Sequence, residues 1–338
     1  MRGLRVHSCG PMTSLQDQGR AGLLGYGISR GGAMDPLALA EGAALLDQSP
    51  DLAAIELAGL GGTFEALSDL RIAVTGAEMS AQIDGVAVRW NGSHALPKGA
   101  VLTIGAAKSG NYAYLHVGGG VEAPCVLGAR STHFVAELGE AITAGTVLSL
   151  GPDQGGNGTG QGLDVAPRFQ GGRIRILPSM QTDLFAPEVL ERFENTVFKR
   201  EARANRMGMQ ILSDGAPFAT SGQLNILSEV IVPGDIQMTG SGTPFVLLNE
   251  CQTTGGYPRI ATVIPSDMAR VAQAGQGVAL TFEFVDTEEA LSALKQDVAH
   301  LAALPAQVHP LIRDPRDMPD LLSFSLIGGV ISATDPPE

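Results

Sequence analysis

Residues 71–90 read RIAVTGAEMSAQIDGVAVRW, in which apolar runs lie on either side of an Asp-Gly pair. Asp84-Gly85 is a strong signal for a two-residue hairpin turn between two strands. Similar short apolar runs follow this hairpin and recur through the second half of the chain. The further predicted strands are 100–104, 111–117, 173–177, 223–227, 245–248, 259–264 and 278–285. This spacing is typical of barrels or sandwiches, so we predict a mainly β protein rather than alternating β-α-β units.

The glycine content agrees with a fold of short strands and tight turns. Glycine supplies 44 of the 338 residues, nearly twice the usual share of about 7%, and it tolerates the positive φ that turns require. Helices are few, and Asp35 is predicted to cap one that has Pro36 at its first position. The other predicted helices are 187–195, 266–274 and 287–305. In the last helix, one apolar stripe is formed by Leu291, Leu294, Val298 and Leu301.

The charge balance and the cysteines exclude several classes of protein. The net charge of −13 and the isoelectric point near 4.9 argue against nucleic acid and anionic membranes as partners. The three cysteines lack CxxC spacing, so we expect neither a disulfide framework nor a metal site. The first residues lack the apolar core of a signal peptide, and no run is long enough to span a membrane. We therefore expect a cytoplasmic protein.

The composition also indicates how the chain is divided. Residues 151–162 are dense in glycine and poor in apolar side chains, which is typical of a flexible linker. We predict a first domain over residues 1–150 and a linker over 151–172. A second domain of similar style is predicted over 173–286. Residues 287–338, a helix and a C-terminal segment, are predicted to pack on these domains.

The loop at residues 249–259, NECQTTGGYPR, differs in kind from the other loops. It lies between two apolar strands and combines many hydrogen-bonding side chains with a Gly-Gly pair. Its Gln, Thr, Tyr and Arg side chains could donate to a carbonyl or a developing oxyanion, and Glu250 supplies a carboxylate. The alternative is a polar turn with Tyr257 packed as a lid. Two other polar loops, residues 16–20 and 205–210, each carry an arginine, for which a surface ion pair is the simpler interpretation.

Generic catalytic motifs are not convincing. Residues 27–31, GISRG, fit the G-x-S-x-G pattern of a nucleophile elbow. That elbow requires a strand directly before the serine and a helix directly after it, and neither is predicted here. Ser29 is therefore interpreted as a loop residue. The six histidines show no metal-binding spacing and are interpreted as structural.

Several motifs, taken in order, resemble those of the biotin-dependent carboxyltransferase / allophanate hydrolase subunit 2 family, which includes KipA. The resemblance covers about residues 10–285. The matching segments are 13–20 (TSLQDQGR), 32–36 (GAMDP), 75–77 (TGA), 118–120 (GGG), 126–132 (VLGARST), 205–208 (NRMG), 228–229 (SE), 232–234 (VPG), 236–237 (IQ) and 252–258 (QTTGGYP). Many members have Asp-Arg-Gln where this chain has Glu250-Cys251-Gln252, a difference that bears on the substrate.

The resemblance implies two cyclophilin-like β-barrel domains with a few short helices. It further implies the C subunit of an ATP-dependent 5-oxoprolinase, which opens the lactam of 5-oxo-L-proline to L-glutamate. The implied partners are a KipI-like subunit, which is the B subunit of 5-oxoprolinase, and a LamB/YcsF-like subunit, which is its A subunit. ATP would be bound mainly by or with a partner. Two alternatives stay open: a biotin-dependent carboxyltransferase acting on urea or a related small amide, and a non-catalytic KipA-like regulator.

On this interpretation the polar loops supply the site residues. The expected catalytic residues, which hold or polarise the substrate, are Gln252, Tyr257, Arg206 and Glu250. The expected substrate-binding residues are Gln16, Asp17, Arg20, Asp35, Asn205, Thr253, Thr254, Gly255 and Gly256. No metal is expected in this site.

Overall fold

The computed structural model describes residues 2–156, 158–218 and 226–312. Most of the strand predicted at 223–227 and most of the predicted C-terminal segment lie outside these ranges. The described residues form twenty strands and four α-helices. The strands are β1 (Gly3–Cys9), β2 (Ser14–Gln16), β3 (Ala54–Ala58), β4 (Leu60–Ala66), β5 (Leu70–Ile83), β6 (Val86–Ala87), β7 (Gly92–Leu96), β8 (Val101–Val117), β9 (Val147–Ser149), β10 (Gln161–Gly162), β11 (Gly172–Leu177), β12 (Phe198–Asn205), β13 (Gly208–Leu212), β14 (Glu229–Val230), β15 (Asp235–Met238), β16 (Pro244–Leu247), β17 (Thr254–Gly255), β18 (Arg259–Val263), β19 (Ala279–Phe284) and β20 (His309–Pro310).

The nine strands β1–β9 of the first half, together with β10 and β20, form an eleven-stranded sheet built around the long strands β5 and β8. These two strands pair antiparallel from Ile72 opposite Val117 to Ile83 opposite Leu102. The predicted hairpin is confirmed, since β5 and β6 pair directly across Asp84-Gly85. Both turn residues have positive φ, 47° and 82° respectively, which is the geometry that a tight turn between twisted strands requires.

The second half closes into a seven-stranded barrel in the order β11-β18-β15-β16-β13-β12-β19. Four phenylalanine rings fill part of its interior, with centroid separations of 4.9 to 5.6 Å. Those rings belong to Phe193, Phe198, Phe218 and Phe282. Rings at these separations add a specific attraction to the free energy gained from their burial. The predicted mainly β fold with few helices is confirmed, and the described residues contain one closed barrel where the resemblance implied two.

The helices are α1 (Pro36–Leu45), α2 (Pro187–Glu194), α3 (Met268–Gln273) and α4 (Thr287–Gln307). The start of α1 is as predicted, because the Asp35 carboxylate accepts from the Ala38 N–H at 3.1 Å and Pro36 follows it. No helix in the described part of the chain is long and apolar enough to cross a bilayer.

The apolar stripe of α4 that the sequence indicated is not its buried face. Leu291, Leu294, Val298 and Leu301 are between 41% and 61% exposed, whereas Ala290, Ala293 and Leu304 are buried. The helix also continues through Pro305 to Gln307 instead of ending there. Small alanine side chains thus lie on the buried face of α4, and the leucine stripe is partly exposed.

Residues 151–172, predicted as a flexible linker, make specific contacts with the first half. The carboxylate of Asp153 pairs with the Arg71 guanidinium at 2.6 Å, and Leu163 is buried. Arg168 is buried and pairs with Asp35 at 2.7 Å and with Glu41 at 2.8 Å. The segment therefore runs along the protein surface, where its glycines let the backbone bend and its charged residues hold it in place. The predicted domain bounds stay a prediction.

Buried polar groups join the two halves of the chain. The side-chain oxygen of Gln273 in α3 accepts from the backbone N–H groups of Asn111 and Tyr112 at 2.8 and 3.0 Å. The Asn111 side chain in turn donates to Ala272 and Ala274. Since buried donors and acceptors need partners, these bonds fix how β8 meets α3.

Replacing Gly42 with alanine is expected to lower the free energy of unfolding by about 1–3 kcal/mol. Gly42 lies within α1, where alanine normally gains about 1 kcal/mol over glycine. Here an added Cβ would overlap the imidazole ring of His116, which is buried and bonded to Thr75 at 3.0 Å. Denaturant unfolding measures the effect. Gly25→Ala is the matched control, because an added Cβ there meets open space. A Gly42→Ala variant as stable as the parent would contradict the close packing.

Candidate functional site

A cavity of about 390 Å³ lies where three loops meet. Its lining residues are Gly27, Ser29, His133, Val135, Ala136, Cys251, Gln252, Thr253 and Thr254. Among the described residues, the lining combines hydroxyl and amide side chains and includes neither lysine nor arginine. Three of the predicted site residues, Gln252, Thr253 and Thr254, are therefore brought together. A larger cavity of about 590 Å³ near Lys108 and Arg200 is lined by none of the predicted site residues.

The loop that carries Gln252 is fixed against the first half of the chain by Asn249. The Asn249 side chain donates to the Ala33 carbonyl at 2.7 Å, and the Asn249 backbone carbonyl accepts from the Gly31 N–H at 2.9 Å. The backbone N–H of Glu250 donates to the Arg206 carbonyl at 2.8 Å. The loop thus leaves the barrel at β16 and contacts the segment that holds Ser29.

Directly beneath this contact lies a buried ion cluster centred on Arg206. The Arg206 guanidinium pairs with the carboxylates of Glu56 and Glu250 and donates to the Gly32 carbonyl at 2.5 Å. All three charged side chains are at most 2% exposed. Although burial opposes the charged form, Glu56 and Glu250 raise the pKa of Arg206 above its usual value, so it stays charged.

The remaining acceptor capacity of Glu56 is also used. Its Oε2 atom accepts from the Tyr114 hydroxyl at 2.6 Å and from the Met34 N–H at 2.9 Å. The Tyr114 hydroxyl accepts from the Asp35 N–H at 2.8 Å. The cluster therefore joins β3 and β8 of the first half to Arg206 of the second half. A fully satisfied network of this kind fixes one arrangement of the loops above it.

Glu250 connects the ion cluster to the second wall of the cavity. Its Oε2 atom accepts from the backbone N–H of Phe134 at 2.8 Å. Arg206 and Glu250, which the sequence predicted to act directly on the substrate, thus have their charged atoms paired inside the protein. In the structure, Arg206 and Glu250 position the walls of the cavity.

The second wall presents His133 to Ser29. The His133 Nε2 atom lies 3.0 Å from the Ser29 hydroxyl, and its Nδ1 atom accepts from the Ala136 N–H at 3.1 Å. Both side chains are buried, at 1% and 2% exposure. Burial lowers the pKa of His133, the Glu250 carboxylate raises it, and the positive charge of Arg20 lowers it. The net effect is a lowered pKa, so the ring is neutral near pH 7.

The predicted substrate-binding residues of the first loop hold a neighbouring loop instead of lining the cavity. The Asp17 carboxylate accepts from the Gly19 and Arg130 N–H groups at 2.9 and 2.6 Å. Arg20 donates to the Val126 carbonyl at 3.0 Å and to the Ser131 hydroxyl at 3.1 Å. Each of these side chains is buried and has its partners within the protein.

Gln16 and Asp35 are likewise internal. The Gln16 side chain donates to Ser14 and to the Thr132 carbonyl, and Asp35 caps α1 while it pairs with Arg168. The Asn205 side chain accepts from the Met207 N–H at 2.8 Å within its own turn. These three residues support the fold locally and are not among the lining residues of the cavity in the described part of the chain.

After Thr254, which lines the cavity, the rest of the 249–259 loop leads away from it. Thr254 and Gly255 form β17, which pairs with β14, and a Cβ at Gly255 would lie 2.6 Å from the side-chain nitrogen of Gln237. Gly256 follows directly, and its carbonyl accepts from the Ile226 N–H at 3.0 Å. Tyr257 is 43% exposed and does not line the cavity in the described residues. Its predicted role stays a prediction.

Sequence reasoning missed the pairing of Ser29 with His133. The rejection of a nucleophile elbow holds, because Ser29 follows a 3-10 turn and Gly27 with φ of 82° rather than a strand. The serine and the histidine are 104 positions apart, so no spacing motif could identify them. Only the fold brings the two residues together on the cavity wall.

Comparison with known proteins places these observations in a family. The model of the carboxyltransferase domain, subdomain A and B, matches residues 26–284. The C subunit of 5-oxoprolinase from Escherichia coli (strain K12) is 32% identical over 311 residues, which are 90% of this chain and 99% of that protein. The urea amidolyase of Saccharomyces cerevisiae is 26% identical over 314 residues, 86% of this chain but 17% of that protein.

A solved structure agrees with the fold. The crystal structure of TTHA0988 superimposes with a TM-score of 0.76 at 29% identity, covering 84% of this chain and 56% of that one. The chain thus spans about half the length of TTHA0988 and nearly all of the E. coli 5-oxoprolinase component. This chain belongs to the family of carboxyltransferase domains, subdomains A and B.

Proposed function

We propose that this chain is the C subunit of a cytoplasmic, ATP-dependent 5-oxoprolinase that opens 5-oxo-L-proline to L-glutamate. Its partners are a KipI-like subunit, the B subunit of that enzyme, together with a LamB/YcsF-like subunit, its A subunit. The observation that carries the proposal is the match to the C subunit of 5-oxoprolinase over 90% of this chain and 99% of that protein. The polar cavity supports it, because a lactam presents one carbonyl oxygen and one N–H to such a lining.

The chemistry explains why a complex is needed. A lactam is a poor electrophile, so ATP would transfer a phosphoryl group to its oxygen and leave as ADP. Water would then attack the carbonyl carbon, and the C–N bond would break, with a proton going to the nitrogen, to leave an acyl phosphate. A second water would hydrolyse the acyl phosphate to phosphate and glutamate. The lining formed by the described residues lacks lysine and arginine, which favours an uncharged amide group over a triphosphate. This chain would hold and orient the amide, and ATP would be bound mainly by or with a partner.

The assay that tests the proposal uses this chain purified together with both partner subunits. We expect glutamate release from 5-oxoproline that requires ATP and that stops when this chain is omitted. Glutamate release by the two partners alone at the same rate would contradict an essential role of this chain.

Replacing Gln252 with alanine in that complex is expected to lower kcat/KM for glutamate release at least tenfold. The side-chain amide lines the cavity and can both donate and accept, so its loss removes a hydrogen bond to the substrate. Steady-state kinetics with varied 5-oxoproline measures the effect. The matched control is Gln276→Ala, which removes the same side chain from the lining of the larger cavity. Equal kinetics of the two variants would remove Gln252 from the site.

A second candidate function is biotin-dependent carboxyl transfer to urea or a related small amide. The relative named urea amidolyase, 26% identical over 86% of this chain, favours it. Carboxyl transfer also needs donors to a carbonyl oxygen in a pocket that excludes water, so the same cavity would serve. Carboxylation of urea in the presence of a carboxybiotin carrier, without glutamate release from 5-oxoproline, would establish this alternative.

A further inference from the structure

Ser29 and His133 form a buried polar pair on the cavity wall that the proposed function does not use. Ser29 and His133 both line the cavity, and the Ser29 hydroxyl lies 3.0 Å from the His133 Nε2 atom. Gly31 keeps the ring close, because its φ is 61° and an added Cβ would lie 2.9 Å from the His133 Cδ2 atom. The pair is therefore held in one geometry by the backbone around it.

The backbone also decides which ring nitrogen carries the proton. The Ala136 N–H donates to Nδ1 at 3.1 Å, so Nδ1 is the unprotonated nitrogen of the ring. A neutral imidazole then carries its proton on Nε2, and this N–H donates to the Ser29 oxygen at 3.0 Å. Burial lowers the pKa of His133, which agrees with a neutral ring.

This arrangement is the reverse of a Ser-His-acid triad. In a triad, Nδ1–H donates to the acid and Nε2 accepts the serine proton. Here the Glu250 carboxylate lies 3.8 Å from Nδ1, beyond hydrogen-bond distance, and accepts from Phe134 instead. With Nε2 already protonated, His133 cannot act as the base that activates Ser29.

The neighbouring thiol is not a nucleophile either. Cys251 also lines the cavity, but burial, reinforced by the Asp235 carboxylate, raises the pKa of its thiol to about 12. The thiolate is the reactive form of cysteine, and it is scarce near neutral pH at such a pKa. The cavity thus contains a serine and a cysteine, but neither side chain is activated as a nucleophile.

We propose that the Ser29 hydroxyl donates a hydrogen bond to the carbonyl oxygen of the bound amide, and that His133 positions it. Because the Ser29 oxygen accepts from Nε2–H, its own proton is free to point away from His133, and Ser29 lines the cavity. This inference rests on the proposed function and names the group that binds the lactam oxygen. A donor in this place would stabilise the negative charge that develops on the oxygen during reaction.

The test compares Ser29→Ala, His133→Ala and His133→Gln in the complete complex, with kcat and KM measured separately. Ser29→Ala is expected to lower kcat about 10²–10³-fold, the usual effect of removing one oxyanion donor. His133→Ala should show a similar loss. His133→Gln should recover most of it, because the glutamine side-chain N–H can replace Nε2–H, although glutamine cannot act as a base.

A fluorophosphonate probe, which labels nucleophilic serines, provides an independent readout. We expect no labelling of Ser29 in the wild-type complex. Labelling of Ser29, together with a His133→Gln variant as inactive as His133→Ala, would establish a nucleophile and overturn the proposal. An unchanged kcat of Ser29→Ala would overturn it as well.

Calorimetric titration separates this inference from the proposed function. 5-Oxoproline and urea are each titrated into the wild-type and the Ser29→Ala complexes. If the complex releases no glutamate but binds urea, and Ser29→Ala weakens that binding, the donor role stands while the 5-oxoprolinase assignment fails. If neither compound binds the wild-type complex, or both bind Ser29→Ala equally well, the donor role is overturned.

Discussion

Replacing Arg206 with methionine is expected to lower the free energy of unfolding by about 3–5 kcal/mol, the usual result of removing one partner of a buried ion pair. Glu56 and Glu250 would then keep two carboxylates at 0% exposure without their shared counter-charge. Methionine has a similar volume to arginine, so the loss reports on charge and hydrogen bonding rather than on a cavity. Denaturant unfolding of the purified chain measures it.

The matched control for Arg206 is Arg89→Met. Arg89 pairs with Asp164 at 3.2 Å, but the two side chains are 50% and 85% exposed. Exposed pairs typically contribute 0 to about 1 kcal/mol, so this variant should be nearly as stable as the parent. If Arg206→Met were no less stable than Arg89→Met, the ion cluster would not hold the two halves together as described.

Replacing Arg168 with methionine is expected to have an effect of similar size, about 3–5 kcal/mol. Arg168 is the buried cation between Asp35, which caps α1, and Glu41, which lies within α1. Asp35 also accepts from the Gln273 side chain at 2.8 Å, so the pair connects the segment after residue 150 to α1 and α3. Loss of Arg168 leaves two buried carboxylates and removes this connection.

The destabilisation by Arg168→Met should grow as pH rises. Burial raises the pKa of Glu41, against the lowering effect of Arg168, and removal of Arg168 raises it further. When the pKa of a carboxyl group is higher in the folded state than in the unfolded state, its contribution to the free energy of unfolding is fully present below the unfolded pKa of about 4.3. That contribution is lost as pH rises through the folded-state pKa. Unfolding at about pH 5 and pH 7 measures the difference. A loss of stability that shrinks towards pH 7 would contradict this assignment of charge.

Local sequence signals predicted much of the fold. The Asp84-Gly85 turn and the Asp35 cap depend on a few adjacent residues, and both are found as predicted. The face of α4 was not predictable in the same way, because hydrophobic periodicity does not show whether the neighbouring surface accepts leucine or alanine. Ala290 and Ala293 make the contact, and Leu294 is left exposed.

The site was predicted only in part, and the reason is burial. The sequence located the Gln252 loop, since a polar, glycine-containing segment between apolar strands is a local feature. It could not show that Arg206 would be buried against carboxylates 44 and 150 positions away. Nor could it show that Ser29 and His133 would meet across 104 positions. These contacts exist only once the barrel and the sheet are packed together.

The most direct test of the proposed site is a structure of the complete complex with 5-oxoproline bound. We expect the lactam in the cavity between Ser29 and Thr253, with its carbonyl oxygen within hydrogen-bond distance of the serine hydroxyl. A lactam bound in the larger cavity beside Lys108 and Arg200, or on a partner protein without contact to this chain, would contradict the proposed site.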